Sequence, residues 1–171
     1  MSTLPTKFST GRLRAALAFT IGLFILTSAA LAQVPSFKHD GVARDAARYE
    51  KWLLENWKAP ADSAQANRTA GQQLLDSNGD VRAASRHFAS AVAADPQHPL
   101  GWIGLAESIL AIPANAMRGN ERYNIPVNSS GAAYLAYQRA QSAAVQARAL
   151  SVLARALARR SYWRPALDAY K

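Results

Sequence analysis

The stretch Asp80–Pro96, DVRAASRHFASAVAADP, decides the fold. Within it Ala84, Phe88, Ala91 and Pro96 stand at intervals of four, three and five. Residues three or four apart lie side by side on an α-helix, so the first three share one face. The small side chains of Ala84 and Ala91 let a second helix approach closely, and Phe88 fills the space between the two. Asp80 can accept hydrogen bonds from the unpaired amides of the first turn, and Asp95-Pro96 closes the helix. Upstream, about Gln65 to Ser77 forms the partner helix, joined by the turn Asn78-Gly79-Asp80, where Gly79 can adopt the left-handed conformation that ends a helix.

The pattern recurs. Arg68, Gly71 and Leu75 reappear 34 residues later as Trp102, Leu105 and Ile109. A second helix bearing Ala133, Tyr137 and Ala140 resumes the alanine–aromatic–alanine order. Its offset from Ala84 is 49 residues, one period plus 15. The surplus falls in the insertion 112–130, rich in Pro, Gly and Asn, and a loop of that length in a compact domain is usually functional or disordered. A third unit carries Leu150, Leu153, Ala154 and Leu157, a turn near Arg160-Ser161, then Ala166 and Tyr170, and breaks off before a closing alanine and proline. The expectation is that the chain is the front of a longer polypeptide, or a truncated copy of one, since a solenoid end normally carries a polar cap.

Ahead of the repeats, Val42, Ala46, Tyr49, Leu53 and Trp57 mark one face of a lead-in helix, with Asp40 as its expected cap and Pro60 as its stop. Half of the residues are hydrophobic but only 9% are aromatic, and alanine is abundant. That composition favours closely packed helices over a sheet. The fold class expected is all-α, an α-solenoid of about three helix pairs preceded by the lead-in helix, with the last pair incomplete. The domain plan is 1–32 signal peptide, 33–60 lead-in helix and linker, and 61–171 helical repeats.

These units resemble tetratricopeptide repeats, whose period is 34 residues. Trp102, Leu105 and Ala106 are similar to the family's Trp-x-x-Leu-Gly opening, with alanine in place of glycine. The resemblance implies a superhelix whose concave face holds peptides or protein surfaces, lined by the first helix of each unit. Here that face offers Thr69, Gln73 and Asp76, then Ile103, Glu107 and Leu110, then Arg148, Arg155 and Arg159. The binding residues expected are Gln73, Asp76, Glu107, Arg148, Arg155 and Arg159. The stretches 41–52, 131–140 and 162–170 also resemble the helical front of bacterial alpha-2-macroglobulin-like proteins, which implies a module preceding protease-trapping β-sandwich domains in the periplasm.

Lys7, Arg12 and Arg14 precede the apolar run Ala15 to Leu26, and Ala30-Leu31-Ala32 supplies small residues where a signal peptidase reads. Cleavage after Ala32 sends the mature chain to the periplasm or beyond. The alternative is an uncleaved inner-membrane anchor over 15–34. Losing those three of the twenty basic residues leaves seventeen against eleven acidic ones, a net charge of +6. Such a charge suits an acidic partner or peripheral contact with an anionic membrane rather than nucleic acid in an exported protein.

With no cysteine there is no disulfide, thiolate metal site or cysteine nucleophile. His39, His87 and His98 are too scattered for a metal site and read as solvated or capping residues. No serine elbow, phosphate-binding glycine loop or paired-carboxylate arrangement supports a small hydrolase. No enzyme activity, cofactor or metal is expected. The partners are other proteins or downstream domains of the same polypeptide, and the alternative reading is a free-standing periplasmic adaptor. The arginine row at 148, 155 and 159 reads either as a solvated face paired with acidic neighbours or as a cradle for an acidic segment.

Overall fold

The computed structural model describes residues 36–58, 62–113 and 128–170. The expected signal peptide, Pro60 and most of the insertion therefore lie outside the described residues. Within them the protein is all-α, with α1 Asp40–Asn56, α2 Ala64–Asp76, α3 Val81–Ala94, α4 Pro99–Ala111, α5 Ser129–Arg139, α6 Ala143–Arg159 and α7 Trp163–Tyr170. No described residue is in a strand.

Local chemistry sets the helix ends. Ser63, Asn128 and Ser142 each accept a hydrogen bond from a first-turn amide, as short oxygen-bearing caps do. Asp80 receives two such bonds, from Arg82 N at 2.8 Å and Ala83 N at 3.2 Å. These bonds hold the Asp80 carboxyl below its ordinary pKa, because they favour the charged form.

Two histidines do the same work. His39 Nδ1 accepts from Val42 N, and His98 Nδ1 accepts from Leu100 N. The expected cap Asp40 is instead the first residue of α1, one position inside the true cap His39. At the end of α2 the left-handed residue is Asn78, not Gly79. Asn78 N donates to Leu75 O and Gly79 N to Leu74 O, a Schellman ending in which asparagine carries the positive φ. The same motif closes α6, with Ser161 left-handed and Tyr162 N donating to Leu157 O.

Consecutive helices from α2 to α7 pack on one another, and α2, α4 and α6 also touch in series. Helix α1 lies against α5 and α3. Helix α4 is mostly apolar and is buried over most of its length, from Gly101 to Ala106 and at Ser108 and Ile109, while Leu100, Glu107 and Leu110 keep part of one side open. Ile103, expected on an open binding face, is fully buried there.

Phe88 is the centre of the first helix pair. An added Cβ on Gly71 of α2 would meet its ring at 2.8 Å, and one on Gly104 of α4 at 2.1 Å. Two glycines thus clear the space the ring occupies, so α3 can drive one large side chain between two helices. Ala84 and Ala91 on the same helix, and Ala133 on α5, are fully buried, which fits their expected role as close-approach positions.

Tyr137, the expected counterpart of Phe88, is only half-buried. Its hydroxyl accepts from Phe37 N at 3.0 Å and its ring lies 6.3 Å from Tyr134, so it anchors the segment leading into α1.

Helix α1 is fixed by both packing and charge. Val42, Ala46, Tyr49 and Leu53 are buried, the stripe expected from their spacing. Tyr49 lies 6.2 Å from Trp102, whose indole Nε1 donates to Pro96 O at 2.8 Å. Burial raises the Tyr49 phenol above its ordinary pKa. The Arg139 guanidinium lies over the Trp102 ring, 5.5 Å from its centroid, and pairs with Glu50 at 2.6 Å. Trp57 Nε1 donates to Ser90 Oγ and ties the end of α1 to α3.

Candidate protein-binding groove

Helices α2, α4 and α6 present a common face because they pack in series. A groove of about 290 Å³ opens on it. Its walls are built mainly from α2, where Gln65, Thr69, Gln72, Gln73 and Asp76 recur at helical spacing, and are completed by Leu100 and Arg148. Phe88 forms part of the lining.

The polar groups in the groove are ordered by one another. Arg68 donates to Gln65 Oε1 at 2.8 Å and lies 3.8 Å from Asp95, with its Nη1 buried and lacking a hydrogen-bond partner. Gln72 donates to Asp76 Oδ1 at 2.7 Å. Arg148 makes a fork on Glu107, with Nη2 to Oε2 at 2.6 Å and Nε to Oε1 at 3.2 Å. Paired charges and three glutamine amides leave a surface that both donates and accepts, which suits the alternating groups of an extended peptide backbone.

Of the expected binding residues, Gln73, Asp76 and Arg148 line the groove, and Glu107 is held at its edge by Arg148. Arg155 is exposed on α6 and outside the groove lining. Arg159 is placed differently from either reading of the arginine row. Its guanidinium donates to Leu110 O at 2.8 Å and Ile112 O at 2.7 Å, capping the carboxyl end of α4. Those carbonyls lack an intrahelical donor, and a cation there also opposes the helix dipole favourably. The acidic-neighbour reading holds for Arg148.

Gln65, Arg68 and Gln72 were not expected as lining residues. Their signal was present in the spacing of polar residues along α2, which places Gln65, Thr69, Gln72 and Asp76 along one face. His87, read as solvated or capping, instead makes a 3.1 Å hydrogen bond to the buried Asn67 on the far side of α2. Among the described residues no group of His, Asp or Glu could hold a metal ion, and no helix is long and apolar enough to cross a membrane. No protein-family model, curated protein or solved structure matches the chain.

Proposed function

We propose that this chain is a non-catalytic protein-binding module of the bacterial envelope, a tetratricopeptide-like α-solenoid whose α2–α4–α6 face holds an extended segment of another protein. The observation that carries the reading is the groove itself, a trough walled by the polar side chains of α2 and completed by Leu100 of α4 and Arg148 of α6, three helices packed in series. The paired helices, the alanine contacts at Ala84 and Ala133 and the aromatic wedge Phe88 support the repeat assignment. In this reading α1 is the lead-in helix, docked along the α3–α5 side, and leaves the groove open. Export after Ala32 and a place at the front of an alpha-2-macroglobulin-like protease trap complete the proposal, resting on the stretches quoted above.

The groove is tested by selecting peptides from a displayed random library on the immobilised protein and measuring their affinity by titration calorimetry. Replacing Gln72 and Gln73 by alanine removes two groove amides, neither of them in the core, and each hydrogen bond lost to the peptide should cost about 1 kcal/mol, or roughly thirtyfold for the pair. Selected peptides that bind the double variant and the wild type equally would show that the groove is not the binding surface.

A further inference from the structure

A second concavity lies on a different part of the molecule, between the amino end of α1 and the carboxyl end of α6. It encloses about 310 Å³. Its floor is apolar, from the buried side chains of Val42 and Leu157. Its rim is cationic, with Arg44 and Arg48 from α1 and Arg160 from the end of α6, against the single carboxylate of Asp45.

Two features distinguish this cleft from a solvated basic face. Arg160 is held in place. Its Nη1 donates to Ser130 Oγ at 2.8 Å, its Nη2 lies a loose 3.7 Å from Asp45, and its guanidinium stands 5.3 Å from the Tyr162 ring. Arg44 and Arg48 stand one helical turn apart on α1 and have no acidic partner among the described residues. His39 adds a donor. Its Nδ1 accepts from Val42 N, so in the neutral ring the proton resides on Nε2. Gly41 permits this fold-back, since a Cβ there would meet the His39 ring at 3.2 Å.

We propose that this cleft binds a phosphoryl group carried on a partly apolar molecule. Two arginines in excess over Asp45 call for more than one negative charge. A phosphate monoester carries about −1.5 to −2 at neutral pH and offers three acceptor oxygens, which guanidinium groups engage in bidentate fashion. The Val42–Leu157 floor and the Tyr162 ring would receive the ester's apolar part. That group can come from a soluble phosphate ester or from an anionic lipid headgroup.

The experiment uses the full chain with phenyl phosphate followed by calorimetry. In parallel, flotation uses vesicles of phosphatidylcholine with and without phosphatidic acid. Saturable binding of phenyl phosphate identifies a soluble ester site, and flotation only with phosphatidic acid identifies a lipid site. In either case Arg44→Gln with Arg48→Gln should weaken binding about tenfold or more, since each charged hydrogen bond lost is a substantial term. Arg155→Gln, which removes an equal kind of charge outside the cleft, should leave binding unchanged. The proposal is overturned if neither arm shows binding, if Arg155→Gln weakens it as much as the pair does, or if phenylmalonate of similar charge binds equally well. Both arginines are exposed and make no described contacts, so far-ultraviolet circular dichroism should find the double variant folded.

Discussion

Replacing Gly104 by alanine should destabilise the protein, although alanine is the better helix former. The added methyl would stand 2.1 Å from Cε1 of Phe88, well inside the roughly 3.5–4.0 Å at which carbon atoms rest. The ring has nowhere to retreat, because its other edge lies against Gly71, where an added Cβ would meet Cε2 at 2.8 Å. Overpacking of this kind costs about 3 kcal/mol at the upper end, and helix propensity returns about 1, leaving a net loss of about 2 kcal/mol. For a chain of this size that is roughly 4–8 °C in Tm. Thermal unfolding followed by circular dichroism measures it. Gly101→Ala is the matched control on the same helix, since its methyl would approach Val92 Cγ2 only to 3.2 Å, and it should destabilise far less than Gly104→Ala because the mild contact and the gain in helix propensity oppose each other. Adding Phe88→Leu to Gly104→Ala should cost less than the sum of the single changes, because the clashing ring atoms are gone. A Gly104→Ala protein that melts at or above the wild-type temperature would refute the wedge.

Three further outcomes follow from the same contacts. Asp80→Ala should cost about 1 kcal/mol at neutral pH by removing a cap. Because the folded pKa is lowered, the gap to wild type should be fully present above the ordinary carboxyl value of 3.8 and close as pH falls through the folded value, which urea titrations at several pH values would show. Arg159→Ala should speed amide hydrogen exchange around 109–112 by releasing the Leu110 and Ile112 carbonyls, while leaving exchange in α2 unchanged. Glu50→Ala leaves Arg139, whose side chain is only 14% exposed, without its carboxylate. It should cost about 2 kcal/mol in urea unfolding, much of it recovered when Arg139→Met is added.

The helices were legible because their signals are local. The spacing of Val42, Ala46, Tyr49 and Leu53 located α1, and Asp80 located the start of α3. Errors arose where a side chain's role depends on a distant partner. Gly104 looks like a weak helix residue until the Phe88 ring is placed beside it. Trp102 carried the repeat alignment, yet its position is set by Tyr49 and Arg139, residues 53 earlier and 37 later in the chain. Asn78 and Gly79 are both turn formers, and only the bond from Gly79 N to Leu74 O decides which of them is left-handed. In the groove, Gln73 and Asp76 followed from periodicity on one helix, whereas Leu100 entered through the packing of α4 on α2.

The arginine row on α6 shows why one helical face need not have one function. Arg148 and Arg159 are eleven residues apart, about 16 Å along a helix axis. Over that distance α6 passes from Glu107, within α4, to Leu110 and Ile112 at its end, so the two helices run in the same direction. The first arginine meets a carboxylate and the last meets backbone carbonyls left over by helix geometry. Only Arg155, between them, faces solvent without a described partner. A single exposed arginine contributes little to holding an acidic segment, because solvent and salt screen it. The charge available to a ligand is instead concentrated on α1, where Arg44 and Arg48 stand beside the anchored Arg160. Removing Arg155 should therefore leave anion affinity nearly unchanged, whereas removing Arg44 and Arg48 should abolish most of it, although all three are arginines on exposed helical faces.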